Sequence, residues 1–239
     1  MKFKYAYAKD GYPVTSDCKH LSDNRRFERT RISYLYPMSV TLVITIVTVA
    51  ASLIAFNNET LMRKWILNPY LVHHRKQWWR MITSGFIHAD FMHLFFNLFS
   101  FYFFGQAVES MYEAVFEEKG QAYFIFLYLA AIIIANAPSL AKQKNNHYYN
   151  SLGASGAVAA VIFAAILFNP WNQIYFFGLI GIPGILFGPL YLYAEYRMAK
   201  QGHTGINHEA HFWGAIFGII FTIALKPALL LHFIGQLFP

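Results

Sequence analysis

Charge is scarce in this chain. Asp, Glu, Lys and Arg make up 13% of its 239 residues, where a soluble domain carries roughly 25%. Over most of its length the chain therefore cannot build an ordinary water-facing surface. Cysteine is nearly missing too. Cys18 stands alone, which excludes an intrachain disulfide, and there is no cysteine cluster to hold zinc. Acids are outnumbered, 12 against 19 Lys and Arg, for a net charge of +7. That excess comes mainly from the first 36 residues and one loop, so it makes no nucleic-acid footprint, and no nucleic-acid partner is expected. No internal repeat and no low-complexity stretch is found.

What is abundant is apolar sequence, at 56% of residues. Six runs stand out: 37–56, 91–108, 123–141, 152–168, 174–193 and 210–225. A helix needs about 20 residues to cross the hydrocarbon. Backbone groups must pair within lipid, and these runs lack the period-two alternation of barrel strands, so they read as helices. The expected fold is all-α: a polytopic bundle with six transmembrane helices over 37–226. An apolar tail over 227–239 is expected to lie in the membrane interface.

A polar tail, 1–36, precedes the first run. It sits ahead of an apolar stretch too long for a signal h-region, and its acids Asp10, Asp17, Asp23 and Glu28 do not suit a mitochondrial presequence. It reads as a cytosolic extension without a cleaved signal peptide. Its basic residues Lys2, Lys4, Lys9, Lys19, Arg25, Arg26, Arg29 and Arg31 place the N-terminus inside. Six spans then return the C-terminus to the cytoplasm, in a cell (inner) membrane. The loop 57–90 mixes Trp65, Trp78 and Trp79 with Arg63, Lys64, Arg75, Lys76 and Arg80, a composition suited to the interface. The segment 197–207, with Gly202, Gly205 and no apolar anchor, is expected to be a mobile loop.

Polar side chains inside spans are costly and mark function or helix contact. Run 91–108 holds His93 and Asn97, four apart on one helix face. Run 152–168 opens with Gly153-Ala154-Ser155-Gly156, followed by many alanines. Run 210–225 holds His211, with Gly214 and Gly218 on the same face. Small residues let two helices touch. Gly153, Gly156, Gly214 and Gly218 are therefore candidates for helix packing that brings Ser155 to His211. With the N-terminus inside, the second, fourth and sixth spans all start outside. His93, Ser155 and His211 then share one depth, and a site facing the outer side is expected.

These motifs together resemble the rhomboid family of intramembrane serine proteases over roughly residues 77–226. The GxSG serine, the His93/Asn97 pair and His211 with its glycines carry the likeness, with Trp79-Arg80 and the 105–109 stretch. The resemblance implies Ser155 as nucleophile and His211 as base. It implies an oxyanion hole of His93, Asn97 and the Ser155 backbone N–H. Transmembrane-protein substrates in the lipid bilayer would be the partners, and no cofactor is implied. Many members place an aromatic residue four after the serine; here that position is Ala159. The only acid near His211 along the sixth run is Glu209, off its face, so a Ser-His dyad is expected.

Two rivals remain open from the residues. A metal enzyme or transporter would use His88, His93, His208 and His211, although His208-Glu209-Ala210-His211 spaces its histidines by three where the H-E-x-x-H zinc motif needs four. A rhomboid-like binding protein without proteolysis would be expected to lack the serine or the histidine.

Overall fold

The computed structural model describes residues 38–176, 180–202 and 205–238. The 1–36 tail, with Cys18 and the basic residues used above for orientation, lies outside the described residues. Ten α-helices, one hairpin and two short 3-10 turns (Ser84–Phe86 and Glu117–Lys119) make up the described fold: α1 (Val40–Phe56), α2 (Glu59–Trp65), α3 (Pro69–Arg75), α4 (Arg80–Thr83), α5 (Phe91–Phe116), α6 (Gly120–Gln143), α7 (Ser155–Phe168), β1 (Gln173–Phe176), β2 (Ile180–Pro183), α8 (Gly184–Gln201), α9 (His208–Leu225) and α10 (Ala228–Leu237).

α7 is the central helix. It is buried along nearly its whole length, and α5, α6 and α9 pack around it. Its alanines and glycine make this possible, because close approach of backbones, and not exclusion of water, drives association where the solvent is hydrocarbon. The outward pattern is inverted relative to a soluble protein. On α1, Thr41, Thr48 and Ser52 are buried while Ile46, Val47, Leu53 and Ile54 are exposed. On α5, Phe95, Phe99 and Phe103 line an exposed face.

α1 is docked on α5 by one carboxylate. Glu109 accepts from Ser39 Oγ at 2.7 Å, from the Val40 N–H at 2.6 Å and from the Thr41 N–H at 2.9 Å, which satisfies the open donors at the start of α1. Gly105 makes room one turn earlier, since a Cβ there would lie 2.8 Å from the Thr41 side chain. Thr222 Oγ1 donates to the Gly218 carbonyl at 2.7 Å, so the Tyr112 hydroxyl must be the donor in the 2.7 Å contact that ties α5 to α9.

Two expectations change here, and a third is met in part. Among the described residues two stretches are long and apolar enough by themselves to cross a membrane, Phe91–Gln143 (which spans α5 and α6) and His208–Leu225, against six expected runs. α7 is a shorter apolar helix because the 152–154 residues ahead of Ser155 leave the helix to build the serine turn. The fifth run is not one helix. Its first part pairs as an antiparallel hairpin, Gln173 opposite Pro183 through Phe176 opposite Ile180, and the helix begins only at Gly184. Pro183 and Gly181 are poor helix residues, and Pro183 is well placed just before a helix start. Finally, 197–201 is helical and not loop. The Arg197 guanidinium lies 6.0 Å from the Tyr193 ring and Lys200 Nζ 4.5 Å from the Tyr196 ring, and Gly202 with φ 74° caps the end.

Candidate active site

The serine turn is built by the loop between α1 and α5. Ser151 and Leu67 exchange backbone hydrogen bonds at 3.0 Å each, and the Gly153 N–H donates to the Ser84 carbonyl at 2.9 Å. Arg80 stiffens that loop by donating to the carbonyls of Arg63 and Ile66, both at 2.8 Å. Gly153 does not sit in a helix contact as its place in the motif suggests. Its φ is +112°, which only glycine adopts readily, and a Cβ there would meet His93 Cε1 at 2.7 Å. It makes a turn against the His93 ring.

His88 is fully buried beneath this turn. Its Nε2 accepts from the Ala154 N–H at 3.3 Å, which leaves the proton on Nδ1 to donate to Ser52 Oγ at 3.0 Å. Ser52 in turn donates to the Phe86 carbonyl at 3.1 Å. Burial pushes the imidazole from 6.5 down to about 3. Between those pH values the unfolded chain holds a proton that the folded chain refuses, so stability falls as pH drops through that window. Thermal unfolding in detergent should therefore show a loss of stability from pH 6.5 downward that is smaller in His88→Asn; equal losses in both proteins would refute this.

Ser155 is the first residue of α7, where the N–H groups of the opening turn have no partner within the helix. His211 lies on the first turn of α9. That turn is fixed by Asn207, whose Oδ1 accepts from the Ala210 N–H at 3.1 Å and from Ser139 Oγ at 3.2 Å. Its Nδ2 donates to Asn136 Oδ1 at 3.3 Å and to Ser151 Oγ at 3.2 Å. One amide thus joins α6, α9 and the segment leading to the serine. α7 and α9 then touch backbone to backbone. A Cβ on Gly214 would lie 2.0 Å from the Gly156 carbonyl oxygen, and one on Gly218 2.1 Å from that of Ala160.

The result is a hydrogen bond of 2.6 Å between Ser155 Oγ and His211 Nε2. The other ring nitrogen, Nδ1, lies 3.1 Å from Glu195 Oε1. Glu195 Oε2 is 2.6 Å from His208 Nδ1. The expectation of no acid beside His211 therefore fails. Glu209 turns away to pair with Lys142, and the acid at His211 comes from α8. Adjacency in sequence hid it, because Glu195 lies 16 residues from His211. A signal was present: beyond Glu118 the only acids are Glu195 and Glu209.

Ser155, His211, His93 and Asn97 line one cavity of about 900 Å³, together with Asn136, Ser151 and Asn207. Asn97 Nδ2 donates to the His93 carbonyl at 2.9 Å, one turn up its own helix. Ala159 is buried in a separate apolar cluster with Phe163 and Ala215. Among the described residues, donor atoms of Glu195, His208 and His211 lie within 4.8 Å of one another and are the group that could hold a metal ion. His88 and His93 are not part of that group.

The helical bundle thus brings a serine and a hydrogen-bonded imidazole to the wall of one cavity, with a buried acid behind the imidazole. The chain belongs to the rhomboid family: the Rhomboid domain matches residues 75–228. It is therefore a membrane protein. It is 30% identical over 176 residues to Rhomboid-like protein 11, chloroplastic, of Arabidopsis thaliana, covering 67% of this chain and 57% of that one. It is 30% identical over 146 residues to Rhomboid protease GluP of Bacillus subtilis (strain 168), covering 60% of this chain and 27% of that one. RHOMBOID-like protein 12, mitochondrial, of Arabidopsis thaliana is 27% identical over 150 residues, 59% of this chain and 44% of that one. The chain thus spans less than two thirds of the length of these relatives.

Proposed function

We propose that this protein is an intramembrane serine protease that hydrolyses peptide bonds in or near transmembrane segments of other membrane proteins. The single observation that carries the reading is the 2.6 Å contact between Ser155 Oγ and His211 Nε2 at the start of two touching helices. A relative named as a rhomboid protease supports it. On this reading α1, α5, α6, α7, α8 and α9 each cross the bilayer of a cell (inner) membrane. Both termini are cytoplasmic and the cavity opens to the outer side.

Neutral His211 accepts the Ser155 proton as Oγ attacks the scissile carbonyl. The oxyanion forms beside the Ser155 N–H at the positive end of α7, with His93 and Asn97 as further donors. His211 then protonates the leaving amine, and water from the cavity repeats the sequence on the acyl-enzyme. A substrate helix buries each carbonyl in its own i→i−4 bond, so the segment must unwind before Ser155 reaches it.

The decisive test is labelling of the purified protein in detergent by a fluorophosphonate. Wild type should be labelled and Ser155→Ala should not. Unlabelled but folded wild type would favour a non-proteolytic binding role, which the rhomboid-like names of two relatives keep in view. Labelling lost to a chelator and restored by zinc would move the reading to a metal enzyme at Glu195, His208 and His211. A second expectation concerns the oxyanion donors. Asn97→Ala should lower kcat by on the order of 10²–10³ with KM nearly unchanged. An effect on KM alone would make Asn97 a substrate-binding residue.

A further inference from the structure

We propose that Glu195 positions His211, so that Ser155, His211 and Glu195 act as one relay with His208 holding the far oxygen of the carboxylate. The inference rests on the serine-protease reading above and adds the acid that the family-like motifs do not contain.

Both nitrogens of His211 are engaged, Nε2 with Ser155 Oγ at 2.6 Å and Nδ1 with Glu195 Oε1 at 3.1 Å. To take the serine proton, Nε2 must present a lone pair. The ring proton then sits on Nδ1. A carboxylate can only accept, so Glu195 selects the tautomer that the base requires. An amide or hydroxyl in its place would leave the tautomer free.

The carboxylate is itself held. His208 Nδ1 donates to Oε2 at 2.6 Å, so the two oxygens serve two imidazoles and the group cannot rotate away from His211. The Glu195 and His208 side chains are 8% and 6% exposed. Tyr191, one turn earlier on α8, also faces the carboxylate. Among the described residues, His93 of α5 also faces His211. A lone carboxylate on a largely apolar helix is costly unless paired. On α8 the buried residues are Gly184, Phe187, Gly188 and Glu195, so the acid lies on the one stripe that meets the bundle.

The proton balance is closed without an extra donor or acceptor. The serine proton moves to Nε2 and leaves with the amine. The Nδ1 proton stays in place, and Glu195 remains ionised throughout. Its negative charge lies beside the imidazolium that forms when Oγ attacks, where a poorly solvated site makes the attraction strong.

A plain helix-joining role for the same contacts makes a different forecast, because glutamine can also bridge two histidines. Glu195→Gln should therefore keep thermal stability and KM, yet lose kcat by on the order of 10²–10⁴, as tautomer control and the charge are lost. Glu195→Asp should recover part of the rate. Nitrogen NMR of ¹⁵N-histidine-labelled wild type should find the His211 proton on Nδ1. A Glu195→Gln protein with kcat within about threefold of wild type overturns the proposal. So does a wild-type His211 protonated on Nε2 alone, a result that needs no variant to fold. Ser155→Ala run in parallel separates the two readings. If it still cleaves, the serine-protease reading fails; if it is dead while Glu195→Gln is fast, only the relay fails.

Discussion

Ser155→Ala and His211→Ala are each expected to reduce cleavage of a transmembrane substrate to background while the protein stays folded. The serine oxygen is the attacking atom, and among the described residues no other hydroxyl stands at 2.6 Å from His211 Nε2. A hydroxyl is a weak nucleophile at neutral pH without a base, so loss of either partner disables the pair. In soluble serine proteases such losses are on the order of 10⁶ in kcat. The double variant should be no worse than either single one, because residues that act as a unit are not additive. Folding should survive, since the Gly156–Gly214 contact and the Asn207 network do not pass through Ser155 or the His211 ring. Cleavage of the same substrate by purified, folded Ser155→Ala at a rate near wild type would end the assignment. Additive losses in the double variant would show two independent contributions in place of one shared proton transfer.

Much of this site was legible before the structure, for physical reasons. Polar groups inside apolar runs are rare enough to be informative, which is why His93, Asn97, Ser155 and His211 stand out. Glycine spacing at 214 and 218 signals a flat helix face, and the structure puts that face against the carbonyls of Gly156 and Ala160. Run lengths gave most helices but failed at 174–193. Hydropathy cannot distinguish an apolar hairpin from a helix, and the helix breakers Gly181 and Pro183 carry that information instead. Glu195 does not stand out in the sequence because it lies just beyond an apolar run, in a stretch that reads as surface by composition. Its role depends on which way α8 turns, and no single-helix pattern encodes that. Gly153 shows the opposite case: a glycine in a helix-rich motif looks like a packing residue. Only its φ of +112° shows that it turns the chain against His93.

Gly214→Val is expected to separate nucleophile and base. The first atom added at this position would fall 2.0 Å from the Gly156 carbonyl oxygen, 2.8 Å from its carbonyl carbon and 3.1 Å from its Cα. All three are backbone atoms of α7, so no side chain can swing aside. Carbon contacts settle near 3.5–4.0 Å, so the two helices must part by roughly 1 Å or more. Ser155 adjoins Gly156, and His211 is one turn from Gly214, so the displaced contact carries the 2.6 Å bond with it. A misplacement of about 1 Å can cost about 10² in rate, and proton transfer by a lost base costs 10²–10⁴ more. A fall in kcat on the order of 10⁴–10⁶ follows from those two terms. Gly218→Val is the control. Its Cβ would meet the Ala160 carbonyl oxygen at 2.1 Å, a clash of the same severity one turn further from the site. Both variants should lose similar thermal stability, but Gly218→Val should retain more turnover, and its fluorophosphonate labelling should be faster. Equal rates in the two, at equal stability, would mean that loosening anywhere along the α7–α9 contact suffices. Wild-type turnover in a folded Gly214→Val would mean that the close approach of these helices does not set the Ser155–His211 geometry.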